Sequence, residues 1–201
     1  MDPELTRLIK TFSEDVGGNG QAAWQRLQSY PREDLINALL NLRNDLPKDS
    51  PTQYSIAFVL CNLNYEYQPN VHVIISALTK VPHKQNYDAD SAESMLARLI
   101  HRGDKELLRV LFGTVPWSDG ALAEGLSDTF SEELRSDPKE FLMRLKNEPK
   151  DTRSKIYKLI ASGSLTAKDL QNLRGQLASL LRTAPTSQVV KELLASDVFK
   201  K

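Results

Sequence analysis

The sequence has a single cysteine, three histidines and no excess of either charge, and each shortage argues against a class of protein. Cys61 has no second cysteine with which to form an internal disulfide, and its apolar setting, AFVLCNL, predicts a buried structural thiol. Lysine plus arginine and aspartate plus glutamate each number 26, so the formal net charge is zero, whereas dedicated nucleic-acid-binding proteins usually carry a basic excess. No histidine stands at a metal-ligand spacing. We therefore expect no metal, no cofactor and no catalytic residue.

Long apolar runs are also missing. The longest lies near VHVIISAL and is far shorter than the roughly 20 residues that cross a bilayer as a helix, so we expect no membrane-spanning segment. The start, MDPELTRLIK, lacks the basic residues and apolar core of a signal peptide. These features predict a cytoplasmic protein. A chain trimmed of its signal peptide would begin in the same way, which leaves the compartment open.

Familiar catalytic and ligand-binding motifs are not present either. The glycine cluster DVGGNGQ lacks the Gly-Lys-Ser/Thr continuation of a phosphate-binding loop, and we expect it to end one helix while Asn19 caps the next. The stretch NYDADSAES lacks the glycine and the glutamate of a calcium-binding loop. We expect His101 to be solvated at a helix end, and Glu132 and Glu133 to lie on a polar helix face and point in different directions.

Helix signals fill most of the chain. Apolar residues recur at spacings of three and four, and a clean period of two is absent. Thr166 with Asp169 predicts a helix-capping box. Several prolines stand where a helix would have its first residue, a position at which the missing N–H costs nothing. They are Pro3, Pro31, Pro51, Pro69, Pro138 and Pro185. We predict an all-α fold of about a dozen helices.

The helices also repeat. Shifting the sequence by 36 residues aligns Trp24 with Leu60 and Leu96, and a shift of 34 then aligns Phe130. The helix-breaking segments SYPRED, EYQPNV, HRGDKE and RSDPKE fall between two apolar clusters each time. An αα-hairpin cannot bury its apolar face alone, so copies are expected to stack and share a core.

This pattern resembles the HEAT/armadillo class of α-solenoids. The stretch SAESMLARLIHRGDKELLRVLFGTV, residues 91–115, is most similar to a HEAT unit, with a first helix, a tight Gly-Asp turn and a leucine-rich second helix. The resemblance covers residues 20–146. Within this range, the sequence lacks the proline and the Val-Arg pair that many HEAT units have. It implies a single domain over residues 1–201, with an N-terminal helix in 1–19, HEAT-like repeats in 20–146 and a helical cap in 147–201.

The resemblance implies a non-enzymatic interaction or scaffold module that presents a solenoid surface to a protein partner. Polar and charged side chains on the second helix of each pair would then orient the partner. They are Arg32, Asn41, His72, Lys105 and Arg109. Aromatic side chains near the joints are further candidates, because half-exposed aromatics are enriched in binding hot spots, although they also fill gaps between repeats. These are Tyr65, Tyr67, Tyr87 and Trp117.

An alternative comes from the same resemblance. Some HEAT-like proteins of similar length are alkylpurine DNA glycosylases, which hold DNA in a basic groove lined by aromatics and an acid. Trp117 with Asp119 and a basic C-terminal segment echo that arrangement. Its basic residues are Arg144, Lys146, Arg153 and Lys155. Zero net charge disfavours a nucleic-acid partner, because phosphate contacts supply most non-specific affinity. A purely structural part of a larger assembly fits the sequence equally well.

Overall fold

The computed structural model of the chain describes residues 2–15, 17–48, 50–79, 87–181 and 186–200, and for residues 87 and 88 it describes the backbone only. These residues form twelve α-helices and two short 3₁₀ helices, and no strand occurs among them. The predicted all-α fold class is confirmed. The chain divides into two compact units, Met1–Met95 and Leu96–Lys201, which are described one at a time below.

The first unit is organised around one buried helix. Its helices are α1 (Pro3–Glu14), α2 (Gly18–Gln28), α3 (Arg32–Asn44), α4 (Pro51–Asn62), α5 (Tyr67–Thr79) and the start of α6 (Tyr87–His101). Helices α1, α3 and α5 all pack against α4. Residues 53–61 of α4 are buried on every face, as expected of a helix surrounded by others. The side-chain amide of Gln53 donates to the carbonyls of Arg43 and Leu46, so it satisfies acceptors at the end of α3.

Three aromatic rings join α2, α1 and α4. The ring of Phe12 stacks on that of Trp24 at a centroid distance of 4.7 Å and on that of Phe58 at 5.1 Å. Phe58 is fully buried and Trp24 is half-buried. The ladder therefore runs from the core of this unit to its surface.

Helices α1 and α2 approach each other most closely at a glycine. A Cβ atom at Gly20 would lie 1.7 Å from the carbonyl oxygen of Asp15, whereas a Cβ atom at Gly18 would meet nothing within 4 Å. Gly20 therefore permits the close approach of α2 to the end of α1. The glycine cluster does not end a helix as predicted, because α2 begins at Gly18 and Asn19 lies inside it.

This contact makes a matched pair of substitutions informative. We expect Gly20→Ala to lower the free energy of unfolding by about 1–3 kcal/mol, because the methyl group forces α1 and α2 apart. Gly18→Ala should instead raise it by about 0.5–1 kcal/mol, because it restricts the unfolded chain without a clash. Urea titrations of both variants measure the difference. Equal effects would show that the close approach at Gly20 does not constrain the packing.

The second unit follows α6 with a 3₁₀ turn (Lys105–Leu107). Its further helices are α7 (Leu108–Thr114), α8 (Gly120–Ser136), α9 (Pro138–Leu145), α10 (Lys150–Ser162), α11 (Ala167–Leu180), α12 (Ser187–Ala195) and a 3₁₀ helix (Asp197–Phe199). Helix α8 packs on α10, and α7 and α11 both pack on α9. The rings of Phe112, Phe130 and Phe141 form a cluster with centroid distances of 5.3–6.1 Å at its core.

Most predicted helix starts are found where the sequence placed them. Pro3, Pro51 and Pro138 are the first residues of their helices. Pro31 lies one residue before α3, and Pro69 is the third residue of α5, so these two predictions were wrong by one and two positions. Pro185 lies outside the described residues. The capping box of Thr166 and Asp169 is confirmed, with both reciprocal hydrogen bonds present.

The four segments predicted to break helices each contain a helix start or a helix end. Leu60, Leu96 and Phe130 are fully buried, whereas Trp24 is only half-buried. The stacked superhelix and the single-domain organisation with its helical cap stay predictions.

Candidate functional site

The loop between α4 and α5 has an unusual backbone held in one conformation. Helix α4 ends in a Schellman motif: the amide of Tyr65 donates to the carbonyl of Leu60, and that of Asn64 to the carbonyl of Cys61, both at 3.0 Å. Asn64 occupies the left-handed region at φ 52°, where asparagine is tolerated. Glu66 has φ 41°, an uncommon value for a residue that is not glycine.

A buried asparagine fixes this loop. Asn70 has no exposed surface, and its amide donates to the carbonyls of Tyr65 and Glu66 at 2.9 and 3.1 Å. Its Oδ1 atom accepts from Arg43 of α3 at 2.9 Å. Left-handed residues cost of order 1–3 kcal/mol and persist where their surroundings over-determine them. The three hydrogen bonds of Asn70 supply that constraint.

Three of the predicted partner-binding residues meet at this loop. Arg32 at the start of α3 donates from one guanidinium nitrogen to the carbonyl of Leu63 at 3.1 Å and from another to Glu33 at 2.8 Å. Its side chain is 52% exposed, so the guanidinium is both anchored and reachable. Tyr65 and Tyr67 are half-buried. We name Arg32 with residues 63–67 the α4–α5 platform.

The other predicted partner-binding residues lie elsewhere. Asn41, His72 and Arg109 are exposed on α3, α5 and α7, and Trp117 is half-buried between α7 and α8. His72 has its Nδ1 atom 2.8 Å from the carbonyl of Gln68 in its own helix. Tyr87 is the first residue of α6, not a turn residue as predicted, and its side chain lies outside the described part of the chain. Whether these residues contact a partner stays a prediction.

Lys105 belongs to a charged cluster in the second unit. Glu133 of α8 is buried, with 2% of its side chain exposed, and its two oxygens accept from His101 Nδ1 at 2.8 Å and Lys105 Nζ at 2.6 Å. The other ring nitrogen of His101 lies 3.2 Å from Glu132. We name these four residues the Glu133 cluster. The expectation for Glu133 was wrong, because this residue does not lie on a polar face. His101 stands at a helix end as expected and stays one-third exposed, but it is paired with two carboxylates.

The cluster shifts the pKa values of His101 and Glu133 in opposite directions. The hydrogen bond to Glu133 raises the pKa of His101, the carboxylate of Glu132 adds to this effect, and burial and the Lys105 charge oppose it. Burial alone would raise the pKa of Glu133, but the hydrogen bonds from His101 and Lys105 outweigh burial and hold that pKa below its usual range. Both shifts favour an imidazolium at His101 beside a buried carboxylate at Glu133. The cluster ties the end of α6 and the 3₁₀ turn to α8.

The basic residues of the DNA-binding alternative are largely committed to ion pairs. Arg144 bonds Glu106 and Glu140 and has 17% of its side chain exposed. Arg153 holds Glu192 with two parallel hydrogen bonds at 2.8 and 2.9 Å and is 14% exposed. The remaining two residues are Lys146, which is half-buried, and Lys155, which is exposed. Guanidinium groups paired in this way have few donors left for phosphate.

The described residues contain neither a metal-binding cluster nor a membrane-spanning helix. They contain no group of three or more histidine, cysteine, aspartate or glutamate side chains that could hold a metal ion. None of their helices has both the length and the apolar character needed to cross a membrane. The geometry therefore draws attention to the α4–α5 platform.

Sequence reasoning missed the residues that organise these sites. Asn70 and Glu133 were not recognised as buried, although both stand on apolar helical stripes. Asn70 precedes Ile74 and Ala77 at spacings of four and seven, and Glu133 follows Leu126 and Phe130 at spacings of seven and three. A polar residue within an apolar stripe was the available signal.

Comparison with known proteins found no relative of this chain. The chain matches no protein-family model, no curated protein and no solved structure. The resemblance to HEAT repeats therefore rests on the sequence pattern alone. A function for this chain must be argued from the geometry of its own residues.

Proposed function

We propose that the chain is a non-enzymatic interaction module and that it presents the α4–α5 platform to a protein partner. The observation that carries this proposal is the pairing of two half-buried tyrosines and an anchored arginine with a backbone held by a buried asparagine. Tyrosine and arginine are enriched among the residues that dominate binding energy. A surface that is already ordered loses little conformational entropy when a partner binds.

The packing of the second unit is compatible with stacked hairpins. There α8 packs on α10, α7 on α9 and α9 on α11, so three helices contact the helix two positions further along the chain, whereas α12 packs on α9 and α11. Hairpins stacked side by side place equivalent helices in contact in this order. This order supports a HEAT-like superhelix as part of the proposal.

DNA binding remains the alternative, with less support. Of its four basic residues, Arg144 and Arg153 are held by carboxylates, and the net charge of the chain is zero. We expect affinity for duplex DNA no tighter than the non-specific range of about 10⁻⁴–10⁻⁶ M at physiological salt. A salt titration of DNA binding, together with an assay for excision of alkylated bases, measures this. Excision that disappears in Asp119→Asn would favour the glycosylase over the interaction module.

Photo-crosslinking in cell extract tests the interaction proposal. A photoreactive phenylalanine analogue placed at position 65 of the full chain should give a discrete adduct with one protein. The same analogue in place of Gln25, which is exposed on α2, is the control and should give no such adduct. Excess unlabelled wild-type chain should abolish the adduct, because it occupies the same partner.

A second competitor makes the result specific to the platform. The double variant Tyr65→Ala/Tyr67→Ala should compete at least about tenfold less well than the wild type, since removal of a hot-spot residue costs 2 kcal/mol or more. Helical circular dichroism shows that the competitor is folded. Equal competition by both proteins, or equal adducts from positions 65 and 25, would contradict the proposal.

A further inference from the structure

Helix α3 is attached to the chain around the α4–α5 platform at both of its ends. Arg32, its first residue, donates to the carbonyl of Leu63, and Arg43, in its last turn, donates to Oδ1 of Asn70. The two arginines lie roughly 16 Å apart along the helix at 1.5 Å per residue. Leu63 precedes the two left-handed residues of the loop, and Asn70 follows them. One helix therefore holds the loop on both sides.

Among the described residues, the half-buried side chain of Arg43 has a single polar partner. One of its guanidinium nitrogens donates to Asn70 Oδ1 at 2.9 Å, and no carboxylate in the described part of the chain pairs with it. An arginine that leaves the surface is usually paired with an acid, because its charge is costly to desolvate. Here a neutral amide takes the place of the acid. The bond to Asn70 is therefore the polar contact that fixes this guanidinium.

Asn70 in turn depends on Arg43. It has no exposed surface, and Arg43 is the one donor to its Oδ1 atom within the described part of the chain. A buried acceptor that is left without a donor costs its full desolvation penalty. Without Arg43, the amide would lower that cost by rotating Oδ1 toward water. The same rotation would withdraw Nδ2 from the carbonyls of Tyr65 and Glu66, to which it donates.

The loss of these donors matters because of the backbone at Glu66. This residue keeps a φ of 41°, which is costly for a residue other than glycine. Its carbonyl accepts from both the backbone amide and the side-chain amide of Asn70, at 3.1 Å each. Tyr65 and Tyr67 stand on either side of it in the chain. A change of φ at Glu66 would therefore redirect one tyrosine relative to the other.

We propose that Arg43 is a positioning residue of the α4–α5 platform. It acts through Asn70: the guanidinium fixes the amide, the amide fixes the backbone of Tyr65 and Glu66, and that backbone sets the directions of the two tyrosines. Arg43 itself does not touch the partner. The effect of Arg43 on binding rests on the function proposed above, whereas its effect on the loop is a property of the free chain. The two effects are therefore measured separately.

NMR of the free chain tests the effect on the loop. A residue with positive φ gives a strong intraresidue NOE between its amide and Hα protons, because these protons lie close together in that conformation. We expect this NOE at Glu66 in the wild type and its loss in Arg43→Met, which removes every donor. Arg43→Lys keeps a charged donor and should retain the NOE in part. Arg7→Met, at an exposed residue of α1 with no polar partner among the described residues, should leave it unchanged.

Competition in the photo-crosslinking assay tests the effect on binding. Arg43→Met should compete about tenfold less well than the wild type, within the range known for substitutions that act without touching the ligand. Arg43→Lys should recover part of this loss. Arg7→Met makes the same change of charge and should compete as well as the wild type. Helical circular dichroism shows that each variant is folded.

The combination of the two measurements decides the inference. Persistence of the Glu66 NOE in Arg43→Met, or unchanged competition despite its loss, would overturn the positioning role. Weaker competition with the NOE intact would make Arg43 a contact residue instead, and equal effects of Arg7→Met would show a general effect of charge. If the wild-type chain gives no adduct from position 65, the proposed function fails. The NOE alone then decides whether Arg43 sets the loop.

Discussion

Phe58→Ala is expected to lower the free energy of unfolding by about 3–5 kcal/mol, the usual cost of removing a buried phenylalanine ring. Phe58 is fully buried in α4, and its ring stacks on that of Phe12. Helices α1, α3 and α5 pack around α4, so the cavity would open where none of them can collapse freely. A urea titration followed by circular dichroism measures the loss.

Two further variants keep this prediction testable if the alanine variant does not fold. Phe58→Leu should cost less than Phe58→Ala, because it leaves most of the volume filled. Trp24→Ala truncates the half-buried end of the same aromatic ladder and should also cost less, because part of its surface is already hydrated. If Trp24→Ala costs more than Phe58→Ala, the core of the first unit does not lie at α4.

Glu133→Gln is expected to lower the free energy of unfolding by about 2–4 kcal/mol near pH 5.5, because it leaves His101 and Lys105 without their shared carboxylate. Breaking a buried ion pair from one side typically costs 3–5 kcal/mol. The expected value is lower here because the side chains of His101 and Lys105 are 33% and 22% exposed, so water can solvate them when the carboxylate is removed. Denaturant titrations of wild type and variant at several pH values measure the difference.

The pKa shifts of His101 and Glu133 predict opposite changes of stability with pH. The pKa of His101 is raised above 6.5, so its contribution is full below that pH and is lost as the pH rises through the folded-state value. The pKa of Glu133 is lowered below 4.5, so its contribution is full above that pH and is lost as the pH falls through the folded-state value. The difference between wild type and Glu133→Gln should therefore be greatest between about pH 4.5 and 6.5.

The neighbouring glutamate is the matched control. Glu132 also faces His101, but 51% of its side chain is exposed. Exposed ion pairs contribute about 0–1 kcal/mol, so Glu132→Gln should change stability by less than about 1 kcal/mol. A cost for Glu132→Gln equal to that for Glu133→Gln would show that burial of the carboxylate does not set the strength of the cluster.

Helix signals were the most predictable part of the molecule because they are local. The first N–H groups of a helix have no partner within the helix, so proline costs nothing at the first position and a capping side chain just before it can supply an acceptor. For this reason Pro3, Pro51 and Pro138 and the Thr166 capping box were placed correctly. The end of α4 carried a similar local signal. Asn64 has the residue type that tolerates the left-handed C′ position, although the analysis of the sequence did not use it.

The candidate sites were predictable only in part. Arg32, Tyr65 and Tyr67 could be chosen by residue type and position, because aromatic and arginine side chains beside helix joints are common in binding surfaces. Their assembly into one platform depends on the hydrogen bond that Arg32 donates to the carbonyl of Leu63, 31 positions further along the chain. The close approach of α8 and the end of α10 was not foreseen, because it depends on two serines of α8 and on Gly163, which follows α10.

The sequence by itself determined the all-α class and several of the helix starts, because capping, proline geometry and apolar spacing act within one or two turns of a helix. Only the tertiary structure decided which partners the buried polar side chains of Asn70 and Glu133 meet. Arg43 meets Asn70 across 27 positions, and His101 meets Glu133 across 32. Such contacts follow from which helices pack together. The spacing of residues within a single helix does not specify that packing.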